Sequence, residues 1–167
     1  MKGFIWFLSL YTLGLTLVSG SVDGSVSLVV VDKELEHLIS ADARSMHGET
    51  LRNLRKIPGS KVSDRKLETL HIVAHGAPGL IRMNGKEFTL SSLAQYLEGA
   101  SERGLREIVI WSCEVGQDTV GMALLEASSG ARVYAARGIL RGGEGAFRAS
   151  DLRTTDGEQY QGWLPFD

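Results

Sequence analysis

A single α/β domain built on a mostly parallel sheet is what this sequence predicts, on three observations. Short runs rich in Val and Ile recur at Ser25 to Val31, Thr69 to Ala74, Glu107 to Ser112 and Arg132 to Ala136. They are bounded by turn or charged residues, the signature of buried strands. Segments with helical apolar spacing lie between several of them, and such alternation argues for parallel strands joined by crossovers. A chain of 167 residues with 43% hydrophobic side chains is long enough to bury one sizeable core.

The elements follow in order. Asp32 ends the first strand, and Lys33 to Ala43 carries Leu35, Leu38 and Ile39 at helical spacing. Thr50 to Ile57 places Leu51, Leu54 and Ile57 on one face of a shorter helix, which Pro58-Gly59 terminates. After the Thr69 strand, Ile81 to Phe88 reads as a hairpin turning at Asn84-Gly85, the dipeptide favoured in two-residue turns. Thr89 or Ser91 caps a helix from about Leu93 to Gly99. Asp118 to Ser128 is a helix with Val120, Leu124 and Ala127 on its stripe, stopped by Gly130. Phe147 to Arg153 is a weaker final strand, and Trp163 and Phe166 are expected to dock on the domain.

The N-terminus differs in kind. One lysine, an apolar run from Gly3 to Val18 and small residues at Ser19-Gly20-Ser21 form a secretory signal pattern over residues 1–21, leaving 22–167 as the domain. The run falls short of the roughly 20 apolar residues of a membrane span, with an uncleaved anchor as the alternative. The expected location is therefore secreted, periplasmic or cell-surface, with no membrane association once the signal is removed. A net charge of −2 and no basic stripe argue against a nucleic-acid partner.

Two strands break off on reactive side chains. Leu70-His71-Ile72-Val73-Ala74 runs into His75-Gly76, and Ile108-Val109-Ile110-Trp111-Ser112 runs into Cys113. Ligands of open α/β sheets gather beyond the carboxyl ends of the strands, so an imidazole and a thiol at two such ends are expected to meet. Cys113 is the only cysteine and has no intramolecular disulfide partner; outside the cytosol it is either buried and inert or a free thiol kept for a reason. A thiol acts as a nucleophile through its thiolate, which His75 as base and the N-terminus of the Asp118 helix would favour. The N–H groups of Gly76 and Cys113 are candidates to hold an oxyanion. Asp32 and Glu114, on the same rim, are candidates for an acidic pocket that receives a basic substrate residue; the plainer role for Asp32 is to cap the helix that follows.

His71 and His75 lie about 13 Å apart on a strand, too far to share a metal, so no metal or other cofactor is expected. The His-Gly-Ala-Pro-Gly segment is similar to the oxyanion loop of lipases, but no Gly-x-Ser-x-Gly elbow accompanies it.

An apolar strand ending in His75-Gly76, followed by one ending in Ser112-Cys113-Glu114-Val115-Gly116, resembles the caspase–gingipain–legumain type of cysteine peptidase. The closer similarity is to domain-of-unknown-function family 4347, often found near the N-terminus of large exported bacterial proteins rich in repeats. It covers roughly Val26 to Gly145 and includes Val29-Val30-Val31-Asp32, His71 to Gly79, Leu93-Ala94-Gln95-Tyr96, Cys113, Gly121 and Ser129 to Val133. The resemblance implies a caspase-like three-layer α-β-α sandwich with a His75/Cys113 dyad acting on a peptide or protein substrate. It also implies a strand between the first helix and the His75 strand, for which Ser60-Lys61-Val62 is the nearest candidate. The alternative is a catalytically inactive domain that keeps the fold for cell-surface binding or assembly.

Overall fold

The computed structural model describes residues 26–40, 45–46, 67–141 and 147–166. Its main sheet has the strand order β2-β1-β3-β7-β8-β9. These are β1 (Val26–Val31), β2 (Ser45–Met46), β3 (Leu67–Val73), β7 (Glu107–Trp111), β8 (Arg132–Ala136) and β9 (Leu152–Arg153). The first five are parallel, and β9 runs antiparallel to β8. The strands expected around Val31, Ala74, Trp111 and Tyr134 are thus parallel neighbours, the second of them ending at Val73. In sequence β2 at Ser45–Met46 lies between Asp32 and β3. The helix expected at 50–57, the candidate strand at 60–62 and the expected signal segment at 1–21 lie outside the described residues.

Alternation of side chains divides the core. Leu28, Val30, Leu70, Ile72, Ile108, Ile110, Val133 and Ala135 form one cluster with residues of α1 (Leu90–Tyr96) and α2 (Thr119–Ser129). Val29, Val31, Val73, Val109, Trp111, Tyr134 and Ala136 form the other, covered by Leu35, Ile39 and a C-terminal tail that brings Trp163 and Phe166 to the sheet. Among the described residues both α-helices therefore serve one face.

The remaining face is closed by the tail and by a 3-10 helix at Lys33–Leu38, where a longer α-helix was expected. The turn ends early because Ile39 takes extended geometry and bridges Phe166, while Ser40 N–H donates to Pro165 O. A β-bridge from the far end of the chain outcompetes local helical spacing.

The second correction concerns α2. Val120 and Leu124, expected on its buried stripe, are 79% and 48% exposed; Gly121, Met122, Leu125 and Ser129 are buried instead. Small residues make this interface. A Cβ on Gly121 would sit 3.0 Å from Leu90 Cβ, Ser128 Oγ donates to Ala94 O (3.0 Å), and Ser129 Oγ accepts from Ala131 N–H (3.1 Å). Close approach of backbones, rather than side-chain hydrophobicity, sets the phase of the helix.

A second, antiparallel sheet of three strands lies between β3 and β7 in sequence: β4 (His75–Ala77), β5 (Leu80–Met83) and β6 (Lys86–Thr89). The expected hairpin is its β5–β6 half. Asn84 and Gly85 both have positive φ (51° and 70°), the left-handed pair that a tight hairpin turn requires. Thr89 caps α1 by accepting from Ser92 N–H.

Candidate active site

His75 and Cys113 leave adjacent parallel strands, since β3 pairs with β7 from Thr69↔Glu107 to Val73↔Trp111. Each is then turned by its own local device. The chain passes from β3 through Ala74, whose N–H donates to Trp111 O (3.1 Å), into β4, where His75 opposes Arg82. After β7 it turns through Ser112 and Cys113 into Glu114, which has positive φ (58°), and then into a 3-10 turn at Val115–Gln117.

Gly76 lets these two turns touch. A Cβ at this position would overlap Ser112 Oγ and lie 2.8 Å from Val115 Cγ2 and 2.9 Å from Cys113 O. The glycine after the histidine is thus required by the approach of β4 to the cysteine turn. Ser112 Oγ is buried and has no hydrogen-bond partner among the described residues.

His75 and Cys113 line one cavity of about 500 Å³ together with Trp111, Ser112, Leu140 and Phe147. Cys113 is half-buried, and its Sγ–H donates to Leu140 O at 3.6 Å. The His75 side chain is 53% exposed, and its Nε2 lies 3.4 Å from Glu34 Oε2. Imidazole and thiol therefore share a cavity without being hydrogen-bonded to each other. Sequence reasoning missed Glu34 and Leu140 as their partners; only an acidic residue three positions past the end of β1 hinted at the first.

Asp32 and Glu114, the residues expected for an acidic pocket, have other partners. Asp32 is 4% exposed; its Oδ1 accepts from Glu34 N–H (2.8 Å) and its Oδ2 from Asn84 N–H (2.6 Å). Asn84 Oδ1 in turn accepts from Lys33 N–H (3.0 Å). Asp32 thus caps the 3-10 helix that carries Glu34 and ties the three-stranded sheet that carries His75 to the end of β1. Each of its two oxygens accepts from a backbone donor, which gives the carboxylate a structural role at the end of β1. Glu114 accepts from Gln117 Nε2 (3.3 Å), and its N–H donates to Gly138 O (2.9 Å). Neither lines the cavity.

The N-terminus of α2 is also committed. Asp118 caps it by accepting from Gly121 N–H (2.9 Å), and the 3-10 turn separates it from Cys113. Among the described residues no group of three His, Cys, Asp or Glu side chains could hold a metal ion. His71 is on the aromatic face, fully buried, where Trp111 Nε1–H donates to its Nδ1 (3.1 Å). Burial lowers its pKa from 6.5 to about 3, so the ring is neutral.

The model of the family described as Domain of unknown function (DUF4347) matches residues 17–143. This chain belongs to that family. The match spans both His75 and Cys113. No curated protein and no solved structure matches the chain. Among the described residues no helix is long and apolar enough to cross a membrane.

Proposed function

We propose that this chain is a cysteine-dependent peptidase or amide hydrolase with Cys113 as nucleophile and His75 as general base and acid. The observation that carries the reading is that the imidazole and the thiol, leaving adjacent parallel strands, line the same cavity. Sγ forms a bond to the substrate carbonyl carbon as its proton passes to the imidazole. The Gly76 and Cys113 N–H groups receive the oxyanion, a role supported by the packing of the two turns at Gly76. The C–N bond breaks, and the leaving amine takes the proton from His75. Water then splits the thioester, returning the thiol and releasing the acid. Glu34 orients the imidazole from the solvent side.

The parallel sheet with His and Cys at neighbouring strand ends also supports a caspase-like architecture. The apolar run before Ser21 supports export, with cleavage near Gly20 or Ser21; N-terminal sequencing of secreted protein should begin near Ser21 or Val22, and recovery of Met1 would favour an anchor.

A second reading has one observation in its favour. The imidazole partners Glu34 and the thiol partners Leu140 O rather than each other, as in a silent domain retained for surface binding. A fluorogenic peptide panel on wild type, Cys113→Ala and His75→Ala separates the two. The hydrolase reading expects turnover in wild type only, and slower iodoacetamide labelling of Cys113 near neutral pH in His75→Ala. Turnover that survives in Cys113→Ala ends the proposed mechanism. No turnover on any peptide, with a thiol inert to iodoacetamide, selects the binding domain.

A further inference from the structure

A second cavity, of about 720 Å³, shares the wall residue Leu140 with the one that holds the thiol. Four arginines line it, Arg137, Arg141, Arg148 and Arg153, with Asp151 as the one acidic residue among the lining. Composition does not explain this, because the chain as a whole is slightly acidic. Three described arginines elsewhere are ion-paired, Arg82 with Glu87, Arg106 with Glu68 and Arg132 with Glu158, while Arg103 donates to Glu98 O. None of the four cavity arginines forms an ion pair with a described residue. Arg137 Nη2 donates to Thr154 O and Thr155 O (3.2 Å each) and Arg153 Nη1 to Gly157 O (3.2 Å), neutral acceptors that position the charges without cancelling them. Arg141 and Arg148 make no side-chain hydrogen bond or ion pair with any described residue. A concavity lined by one sign of charge concentrates counter-charged ligands, and the planar guanidinium fork matches a carboxylate.

The cavity is joined to the thiol through the chain itself. Gly138 O accepts from Glu114 N–H (2.9 Å), Arg137 O accepts from Gln117 Nε2 (2.9 Å), and Leu140 O accepts from Cys113 Sγ. The segment that carries two of the arginines is thus laid directly on the cysteine turn. Leu140, whose carbonyl accepts from Cys113 Sγ, is the residue that the two cavities share.

We propose that this cavity is a carboxylate subsite, and that the peptides the protein binds carry an acidic group beside the bond presented to Cys113. The position relative to the bond rests on the hydrolase reading; carboxylate binding does not. The carboxylate is an Asp or Glu side chain or a peptide C-terminus.

The test uses the full chain with Cys113→Ala, so that peptides stay intact, and fluorescence anisotropy. The probes are fluorescein-labelled, C-terminally amidated Ala/Gly hexapeptides with one Glu placed at each internal position, their Gln twins, and a neutral hexapeptide with a free C-terminus. At least one Glu peptide should bind about tenfold tighter than its Gln twin, the scale of a charge-assisted hydrogen bond. Preference for the free C-terminus over its amide would instead assign the carboxylate to the peptide end. Either preference should weaken with added salt and vanish in Arg141→Gln/Arg148→Gln, two exposed side chains whose loss leaves the fold intact by circular dichroism. Equal binding of Glu and Gln twins without a free-terminus gain, no binding of any probe, or a preference that survives the double variant overturns the subsite. Acidic preference without turnover in wild type removes the hydrolase and leaves the subsite; turnover without acidic preference does the reverse.

Discussion

The two faces of the sheet are built on different principles. The helical face is aliphatic, assembled from Leu, Ile, Val and Met of β1, β3, β7 and β8 with α1 and α2. The opposite face is aromatic. Trp111 stands edge-on to Phe166 (centroids 5.0 Å) and Tyr160 (6.2 Å), and Phe147 stacks on Phe166 (4.2 Å). A neutral histidine sits inside it, with Trp163 edge-on at 5.3 Å. The first face is covered by α1 and α2, both earlier in the chain than β8; the second is covered by the 3-10 helix after β1 and is completed only when the end of the chain returns. The cavity with His75 and Cys113 opens on the aromatic side, lined by Trp111 and Phe147. The face that forms last in sequence is thus the one that walls the candidate site.

The largest effect that would test this contrast is removal of its central ring. Trp111→Ala should cost about 3–5 kcal/mol and strip His71 Nδ1 of its donor. In urea unfolding, Phe166→Ala should cost less in the Trp111→Ala background than alone, because the rings touch. Leu125→Ala, on the other face, should add to Trp111→Ala without interaction. Coupling between Trp111 and Leu125 as strong as that with Phe166 would break the division into two clusters.

Gly76→Ala should cost about 1–3 kcal/mol, since the methyl meets Ser112, Val115 and the Cys113 carbonyl. It should also shift iodoacetamide labelling of Cys113, which a change confined to the helical face would not do. A stable Gly76→Ala protein with unchanged labelling would show that the two turns are not locked together there.

The buried histidine gives the aromatic face a pH dependence. Because the folded pKa is about 3 and the unfolded value 6.5, the unfolded chain binds the proton first. Stability is full above about pH 6.5 and falls as pH drops toward 3, by up to about 1.4 kcal/mol per unit. Urea unfolding between pH 7 and 5 should show this slope, and His71→Phe should flatten it. An equal slope in His71→Phe would assign it to other groups.

The smallest effect is expected on the outer surface of α2. Val120→Ser and Leu124→Ser should each change stability by less than about 0.5 kcal/mol, against about 2–5 kcal/mol for Leu125→Ala. A large loss at Leu124 would contradict the phase of this helix.

What the sequence determined by itself is what short-range pattern encodes. Val/Ile runs placed β1, β3, β7 and β8, Asn84-Gly85 placed the hairpin turn, Thr89 was one of two candidate caps for α1, and Asp118 marked the start of α2. The ends of β3 and β7 also sufficed to nominate His75 and Cys113. The tertiary structure alone decided the rest, because those features depend on residues distant in the chain. Ile39 is drawn from a helix into a bridge by Phe166, and Asp32 is turned from a candidate pocket residue into an anchor by Asn84 N–H. The phase of α2 follows small residues whose contribution is close approach, which hydrophobic periodicity does not register. The arginine cavity gathers residues 137, 141, 148 and 153, unremarkable in sequence until the fold brings them to one wall. Local pattern fixes which face a residue presents; what meets that face is set by the path of the whole chain.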